Sequence, residues 1–285
     1  MKGWRFVFTR RWVGYLAVAV AFATACYFLG MWQLSRLAEV QAANTRIENN
    51  YDSRPTPIAD VLQSLQSYRA GQEWTQVLLR GSYLTDDQLL VRNRPQAGTP
   101  GFEVLTPLRL ADGSVFVVDR GWVPVGQKQD APESVPAPPT GEVTVVARLQ
   151  AGEPDLPGRS APPAGSQQIA TIQLHNVAKI LGMPTYTSAY GLMVSESPAP
   201  AVHPAAALKP TRDEGLNLSY AIQWGAFGLF GFFGLGYAIR QEYRLVNSDD
   251  PQERERAEER ARRRAAKPLT DAEAEDAILE ASNQS

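Results

Sequence analysis

The chain has 285 residues, a formal net charge of −2, one cysteine and two histidines. A nearly neutral chain without a clustered basic patch gives no support for nucleic-acid binding, and a single cysteine excludes an intramolecular disulfide. The charge is unevenly placed, because the first 34 residues are purely basic and the tail after residue 239 mixes both signs.

The first element is an apolar stretch at residues 12–34, where roughly 23 residues without a charged side chain are enough to cross a bilayer. A cleaved signal peptide is the alternative, since Ala23, Thr24 and Ala25 resemble a cleavage site. The apolar run continues beyond Cys26, whereas a signal peptide ends its apolar region at the cleavage site. The stretch therefore predicts an uncut membrane anchor, with Cys26 as a small packing residue.

Basic flanks predict the orientation. The residues that precede the first span include no acidic side chain and four basic ones, Lys2, Arg5, Arg10 and Arg11. A second apolar stretch at residues 218–239 is followed at once by Arg240 and Arg244. The positive-inside rule then places both termini in the cytoplasm of a bacterial plasma-membrane protein that crosses twice. Neither span contains an ionisable Asp, Glu, Lys, Arg or His side chain, which argues against a transporter or channel.

Residues 35–217 are predicted to form one extracytoplasmic domain. Alternation at residues 77–83 and 89–93 predicts a first hairpin, and Asp112-Gly113 between residues 102–108 and 115–123 predicts a second. Further strands are expected at residues 143–149, 169–174 and 186–195, with short helices at 58–68 and 175–181. Strands that follow one another through short turns favour a mainly antiparallel barrel or sandwich, so the fold class is membrane α+β.

The remaining segments are cytoplasmic in this interpretation: residues 1–11 before the first span and the charged tail 240–285 after the second. Asp250-Pro251 predicts the start of a solvated helix that ends before Pro268, and Thr270 with Glu273 predicts a last short helix.

No catalytic constellation is present in the domain. It has no cysteine, no Gly-x-Ser-x-Gly pattern and two histidines, His175 and His203, which are interpreted as surface residues rather than metal ligands. We therefore predict a protein that is not an enzyme and has no catalytic or metal-binding residue.

Several short motifs resemble the surfeit-locus-one (SURF1-like) family of cytochrome c oxidase assembly factors over residues 12–239. The motifs, in chain order, are residues 30–36, Gly81 with Tyr83, Asn93-Arg94 with Gly101-Phe102, residues 106–108, 118–124 and 220–224. The resemblance implies a non-enzymatic membrane protein that supports maturation or stability of the haem a centre of haem-copper oxidase. Its implied partners are cytochrome c oxidase subunits, a respiratory supercomplex and membrane lipid.

One position departs from the family. Members often carry a histidine three residues before the tyrosine of the Tyr-Ala-x-x-Trp pattern, where it is a candidate haem contact, and this position here is Asn217. An amide is a poor axial ligand compared with imidazole, so no intrinsic cofactor is expected and transient contact with haem a stays open. A structural accessory subunit of the oxidase is then an alternative to an assembly factor. A membrane-anchored sensor or ligand-binding protein unrelated to respiration is the alternative outside respiration.

Seven residues are the candidate membrane or partner contacts. They lie in the motifs near the ends of both spans and of the 115–123 strand: Trp32, Gln33, Arg36, Arg120, Trp122, Tyr220 and Trp224. Trp32, Tyr220 and Trp224 have the amphipathic rings that anchor spans at headgroup level.

Small residues predict how the two spans pack. The second span carries a glycine at every third position, at Gly225, Gly228, Gly231 and Gly234, and the first span carries Ala17, Ala21 and Ala25 at a spacing of four. Because helix association in lipid relies on close backbone approach, we expect the alanine stripe to meet the glycine groove within one molecule. An oxidase helix is the alternative partner for that groove.

Overall fold

A computed structural model of the protein describes residues 3–127, 131–155, 167–210 and 213–266. The chain divides into two compact units, one formed by Met1–Ala38 with Glu214–Ser285 and the other by Glu39–Asp213. The first is called the helix pair and the second the barrel domain. The short helix predicted at Thr270 lies outside the described residues.

The helix pair contains the two apolar segments. After a 3₁₀ turn at Arg5–Phe8, helix α1 runs over Arg10–Asn50, of which residues 10–38 belong to this unit. Helix α4 runs over Gly215–Val246 and helix α5 over Pro251–Ala265. Helices α1 and α4 are both long and apolar enough to cross a membrane.

The helices of the pair contact each other along a seam of mostly small residues. The covered positions alternate at spacings of three and four, which is the 3.5-residue period of a coiled coil. On α1 they are Ala19, Ala23, Cys26, Gly30 and Gln33, and on α4 they are Ala221, Trp224, Gly228, Gly231 and Leu235. A Cβ placed on Gly228 would lie 3.5 Å from the Cys26 Cβ, and one on Gly231 would lie 3.2 Å from Phe22 Cδ1.

The prediction that the alanine stripe of α1 packs against α4 is wrong. Ala17, Ala21 and Ala25 are exposed, and a Cβ on Gly225 or Gly234 would have no neighbour within 4 Å. The physical reason is the period, because a spacing of four or of three drifts away from a seam that repeats every 3.5 residues. Gly228 and Gly231 lie on the covered face because they belong both to the three-residue glycine repeat and to the 3.5-residue repeat of the seam.

In its described residues, the barrel domain contains eight strands and two short helices. The strands are β1 (Thr56–Pro57), β2 (Gln76–Tyr83), β3 (Leu89–Val91), β4 (Gly101–Leu110), β5 (Val115–Pro124), β6 (Glu142–Ala151), β7 (Gln168–Ile169) and β8 (Ala189–Ser197). The α-helices are α2 (Ile58–Val61) and α3 (Leu174–Leu181), and single 3₁₀ turns lie at Ala70–Gln72 and Thr85–Asp87.

Five of these strands close into a barrel. The order β2-β6-β8-β5-β4 returns to β2, since Gly81, Ser82 and Tyr83 of β2 pair with Leu110, Arg109 and Leu108 of β4. The spatial order β6-β2-β4-β5 is a Greek key, and every pairing in the ring is antiparallel except the short β5–β8 contact. A Cβ at Gly81 would overlap the Arg109 carbonyl, so closure of the ring requires glycine there.

The hairpin predicted from Asp112-Gly113 is confirmed as β4 and β5, with Gly113 in the left-handed region at φ +84°. The hairpin predicted between β2 and β3 is wrong. β2 pairs with β6 along one edge and with β1 and β4 along the other, and β3 pairs instead with β4 and β7. Local alternation identified both strands, but the choice of neighbour depends on residues far along the chain.

Two apolar clusters hold the domain on either side of β5. The barrel interior contains Val77, Leu79, Leu108, Phe116, Val118, Val145 and Leu149, all with no exposed surface. The outer cluster contains Leu105, Val117, Ile172, Leu174 and Val177, with α3 packed over β4 and β5. Successive residues of β5 therefore enter different clusters, which fixes the two faces of the strand.

A pair of glycine variants tests the helix seam. We expect Gly228→Leu to lower stability by about 1–3 kcal/mol, because a branched side chain would overlap Cys26 in a contact without spare volume. Gly234→Leu adds the same apolar group where no atom lies within 4 Å, so its effect should be small. Thermal unfolding and protease resistance of both purified variants in mild detergent give the comparison.

Equal stability of the two variants would contradict the intramolecular seam. If Gly228→Leu stayed as stable as Gly234→Leu but lost a copurifying protein, the glycine face would belong to that partner.

Candidate functional site

The end of β5 places two ionisable residues on opposite sides of one strand. Val117 packs in the outer cluster and Val118 in the barrel interior, so alternation sends Asp119 outward and Arg120 inward. Both are buried, with exposed fractions of 2% and 0%. The Asp119 carboxylate accepts the Gly121 N–H at 2.9 Å, which fixes the turn of chain that follows.

Arg120 forms a buried ion pair with Glu196 of β8. Its Nη2 lies 2.8 Å from Glu196 Oε1, and its Nη1 donates to the Pro136 carbonyl at 2.9 Å. Tyr83 lies beside the pair, with its ring centroid 5.6 Å from the guanidinium. Burial and then the Glu196 carboxylate raise the pKa of Tyr83, so its phenol stays neutral. Removing one member of a buried pair strands the other charge and costs about 3–5 kcal/mol.

This burial corrects one predicted contact. Arg120 has no surface for a partner or lipid, and it is instead a structural residue that ties the proline-rich segment to β5 and β8. The local Asp-Arg pattern did not reveal its partner, because Glu196 lies 76 residues further along the chain.

Trp122 is half-buried and fastens two segments to the barrel. Its Nε1 donates to the Arg94 carbonyl at 2.6 Å, and its backbone exchanges two 2.8 Å hydrogen bonds with Ala205. A Cβ on Gly101 would overlap the indole ring, and one on Gly121, at φ +126°, would overlap the Ala205 carbonyl. Glycines at these two positions therefore allow the tryptophan to close against the returning chain.

A pocket of about 360 Å³ opens on the outer face of the barrel beside Asp119. Polar and aromatic side chains line it, chiefly Trp74, Glu103, Asp119, Trp122, Gln150 and Tyr190. Trp74 has φ +70°, which is unfavourable for a bulky residue, and its N–H is held by the Leu149 carbonyl at 2.9 Å. The strained tryptophan is thus kept at the pocket by the edge of β6.

Two carboxyl groups beside this pocket pair with one guanidinium. Arg94 Nε lies 3.0 Å from Glu103 Oε2, and Arg94 Nη2 contacts Glu153 Oε2, which also accepts the Ile172 N–H. Burial raises the pKa of Glu103 despite Arg94, and burial followed by the Glu103 charge raises that of Asp119 well above its usual range. Burial and the Asp119 charge likewise raise the pKa of Tyr190.

The pocket therefore presents a carboxyl group whose pKa is raised by burial and a neutral phenol, together with aromatic faces and an amide. Such groups bind and orient a polar or cationic group by hydrogen bonds and ring contacts. The described lining residues include no His, Cys or Ser that would act as a nucleophile or its base.

The same residues do not fit haem. Haem iron is held by His, Cys, Met or a tyrosinate, and the described lining offers only the phenol of Tyr190, whose raised pKa opposes ionisation. Among the described residues, no group of three or more His, Cys, Asp or Glu side chains could hold a metal ion.

The other predicted contacts lie on the helix pair. Trp32 and Tyr220 have exposed fractions of 56% and 49%, Arg36 is exposed and Gln33 is half-buried. Trp224 is half-buried near Gly30, with its ring 5.8 Å from Phe227, and Asn217 is half-buried on α4. Contact of these residues with lipid or a partner stays a prediction.

Sequence reasoning missed most of the pocket. Glu103 lies on β4 and Tyr190 on β8, and Glu153 beside the pocket lies in the loop after β6. Trp74 acts through a backbone conformation that its residue type does not suggest. The one local sequence signal for this region is Asn93-Arg94, which was singled out as a motif of the family resemblance and not for the charge of Arg94.

The raised pKa of Asp119 predicts a pH dependence of stability. An unfolded aspartate ionises above about pH 4, whereas the folded state keeps the proton, so stability falls as the pH rises from about 4 toward the folded pKa. We expect Asp119→Asn, which keeps a neutral group and an oxygen for Gly121, to raise the unfolding temperature at pH 7. Thermal unfolding between pH 4 and 7 measures the change.

Asp112→Asn is the control of opposite sign. Hydrogen bonds from Ser114 lower the pKa of Asp112, so its stabilisation is present above about pH 4 and is lost as the pH falls. Its replacement should therefore lower the unfolding temperature at pH 7. Equal losses of stability in Asp119→Asn and Asp112→Asn at pH 7 would contradict a raised pKa of Asp119 in the folded state.

Comparison with known proteins identifies the family to which the chain belongs. The sequence model of the SURF1 family matches residues 20–229, well over half of the chain. An uncharacterised SURF1-like protein of Mycobacterium tuberculosis is 33% identical over 235 residues, which are 82% of this chain and 85% of that protein.

More distant relatives match shorter regions. A SURF1-like protein of Rickettsia felis is 28% identical over 109 residues, covering 38% of this chain and 45% of that protein. The cytochrome oxidase assembly protein SHY1 of Saccharomyces cerevisiae is 26% identical over 124 residues, or 42% of this chain and 30% of that protein. The family match and the mycobacterial identity, each spanning most of the sequence, show that the chain belongs to the SURF1 family.

Proposed function

We propose that the protein is a non-enzymatic assembly factor or accessory subunit of haem-copper cytochrome c oxidase. The observation that carries this proposal is family membership together with the yeast relative, whose name is cytochrome oxidase assembly protein. The recognition chemistry of the barrel pocket supports a role in binding and positioning rather than in covalent catalysis.

We further propose that the helix pair spans a bacterial plasma membrane twice, with both termini cytoplasmic and the barrel domain extracytoplasmic. Large apolar side chains on both helices are exposed by half or more, among them Phe28, Phe230 and Phe233. A soluble protein rarely exposes so continuous an apolar surface, and lipid would cover it. The basic residues at the start of α1 and the end of α4 support the orientation.

Within this role, the protein is proposed to act as a scaffold that supports the haem a centre or a respiratory supercomplex without an intrinsic cofactor. Asn217 occupies the position at which the family resemblance implies a histidine, and the pocket residues do not fit an iron ligand set. Transient contact with haem a during transfer by other proteins is compatible with a scaffold.

A membrane-anchored sensor or ligand-binding protein is the second candidate. The observation that favours it is the pocket itself, since about 360 Å³ lined by two tryptophans and neutral hydrogen-bond donors suits a small polar ligand.

Copurification separates these two functions. We expect oxidase subunits to follow the tagged full-length protein through affinity purification in mild detergent, because a scaffold must contact the complex that it supports. A tagged two-span protein of unrelated sequence, expressed at the same level, is the control for membrane carry-over. Oxidase recovery no higher than in this control would favour the sensor.

Trp32→Ala and Tyr220→Ala locate the contact, because both rings are about half exposed. We expect oxidase recovery to fall in these variants while the amount of the protein itself stays unchanged. Unchanged recovery in both would remove these residues from the contact surface.

Absorbance of the protein after separation from oxidase tests the scaffold role. No stoichiometric Soret band is expected, because neither helix of the pair carries histidine in its apolar stretch and residue 217 is asparagine. A saturable band that disappeared on replacing His175 or His203 would instead show a haem-binding protein.

A further inference from the structure

A second cavity, of about 450 Å³, lies at the basic end of the helix pair. The end of α4, the start of α5 and the segment before α1 form it. Its walls are Trp4, Gly236, Ile239 and Tyr243, and its charged lining is Glu253 with Arg240, Arg244, Arg256 and Arg260.

The four arginines come as two pairs, each spaced by four. Arg240 and Arg244 lie on α4, and Arg256 and Arg260 lie on α5. Residues four apart on a helix share a face, so each helix presents two guanidinium groups to the cavity. Two helices thus form opposite walls of one cationic site.

The positive charge of the cavity is only partly compensated. Glu253 is 8% exposed, and its carboxylate accepts from Arg256 at 3.1 Å and from Arg260 at 3.4 Å. The hydrogen bond from Arg256 lowers the pKa of Glu253, which keeps it ionised. Within the described part of the chain, Arg240 and Arg244 have no salt bridge, so four positive charges face one negative charge.

Contacts at the start of the chain hold this arrangement in place. The Trp4 ring stacks on Tyr243 with centroids 4.4 Å apart, and the Gly3 N–H donates to Asn247 Oδ1 at 3.2 Å. Glu242, the acidic residue nearest in sequence to the α4 arginines, is engaged by Arg11 at 3.3 Å. Trp4 and Tyr243, which lie far apart in the sequence, thus form the aromatic wall of the cavity. The Glu242 carboxylate pairs with Arg11 and not with the arginines of the cavity.

We propose that this cavity binds the phosphate group of an anionic phospholipid headgroup. Guanidinium groups suit phosphate because their N–H donors form paired hydrogen bonds with its oxygens. Arg240 directly follows Ile239, the last residue of the apolar stretch, which is the level of the headgroups in a spanning helix. Trp4 and Tyr243 are of the types enriched at that level, and basic pockets beside membrane helices bind anionic headgroups.

The apolar part of the lining favours lipid over an acidic protein segment. Ile239 and Gly236 lie on the side of the cavity that continues into the apolar stretch of α4, where an acyl chain would follow its headgroup. A protein segment would instead place its polar backbone against that wall. The inference rests on the proposed membrane placement of the helix pair and not on a role in oxidase assembly.

Lipid binding to the full-length protein in detergent tests the site. Native mass spectrometry during titration with phosphatidylglycerol, and separately with phosphatidylcholine, gives the affinity for each headgroup. We expect selective binding of phosphatidylglycerol, and an affinity about 30-fold lower in the Arg240→Gln, Arg244→Gln double variant, since each arginine near a membrane surface contributes about fivefold. These two residues are chosen because Arg256 and Arg260 also hold Glu253.

The Arg254→Gln, Arg263→Gln double variant is the matched control. It removes the same charge from α5 at side chains that are 66% and 79% exposed and do not line the cavity, so phosphatidylglycerol affinity should change little. Equal affinity for the two lipids, or equal losses in the two double variants, would overturn the proposal.

Inorganic phosphate distinguishes the source of the anion. We expect it to compete weakly with phosphatidylglycerol, because it lacks the acyl chains. Displacement of the lipid by stoichiometric inorganic phosphate would assign the site to a soluble anion and would contradict a lipid site. None of these measurements involves oxidase, so their failure would leave the copurification result unaffected.

Discussion

The buried ion pair of Arg120 and Glu196 is the interaction on which the barrel domain most depends. It lies inside the barrel with no exposed surface and joins β5, β8 and the proline-rich segment at Pro136. A buried charge is tolerated only with its partner, so the pair fixes one arrangement of these segments as well as one register of the strands. The pair also fixes the positions of Asp119 and Trp122, because these residues flank Arg120 in the sequence of β5.

The pocket on the outer face is a consequence of this constraint. Asp119 lies against Glu103 and Tyr190 because Arg120 is drawn into the barrel, and alternation sends its neighbour outward. Arg94 contacts Glu103 and Glu153 and accepts the indole N–H of Trp122 at its carbonyl, which ties the loop before β4 to the pocket. The pocket is therefore built from the same strand that stabilises the fold.

The sequence predicts what depends on local pattern. The two apolar helices, the Asp112-Gly113 hairpin, the strand at residues 143–149 and the helix that ends at Gly182 follow from period, turn residues and caps. The neighbours of β2, the partner of Arg120 and the members of the pocket do not, because each depends on residues brought together from distant parts of the chain. The helix seam is an intermediate case, since small residues were recognised but the 3.5-residue period that selects among them was not.

Membership of the SURF1 family and the geometry of the pocket and helix pair together favour a protein that binds and positions other proteins. Its helix pair offers an apolar surface suited to lipid and to membrane subunits, and the described residues of its pocket offer hydrogen bonds and aromatic faces. The central claim is our proposal that the protein is a scaffold that supports the haem a centre of cytochrome c oxidase.

Reduced-minus-oxidised absorbance of haem a in membranes from cells that lack the protein tests that claim most directly. We expect a lower haem a signal per membrane protein in these cells. The full-length chain should restore it, whereas Arg120→Met, which strands Glu196 in the barrel, should not. An unchanged haem a signal and unchanged oxidase activity in membranes lacking the protein would contradict the proposed scaffold role.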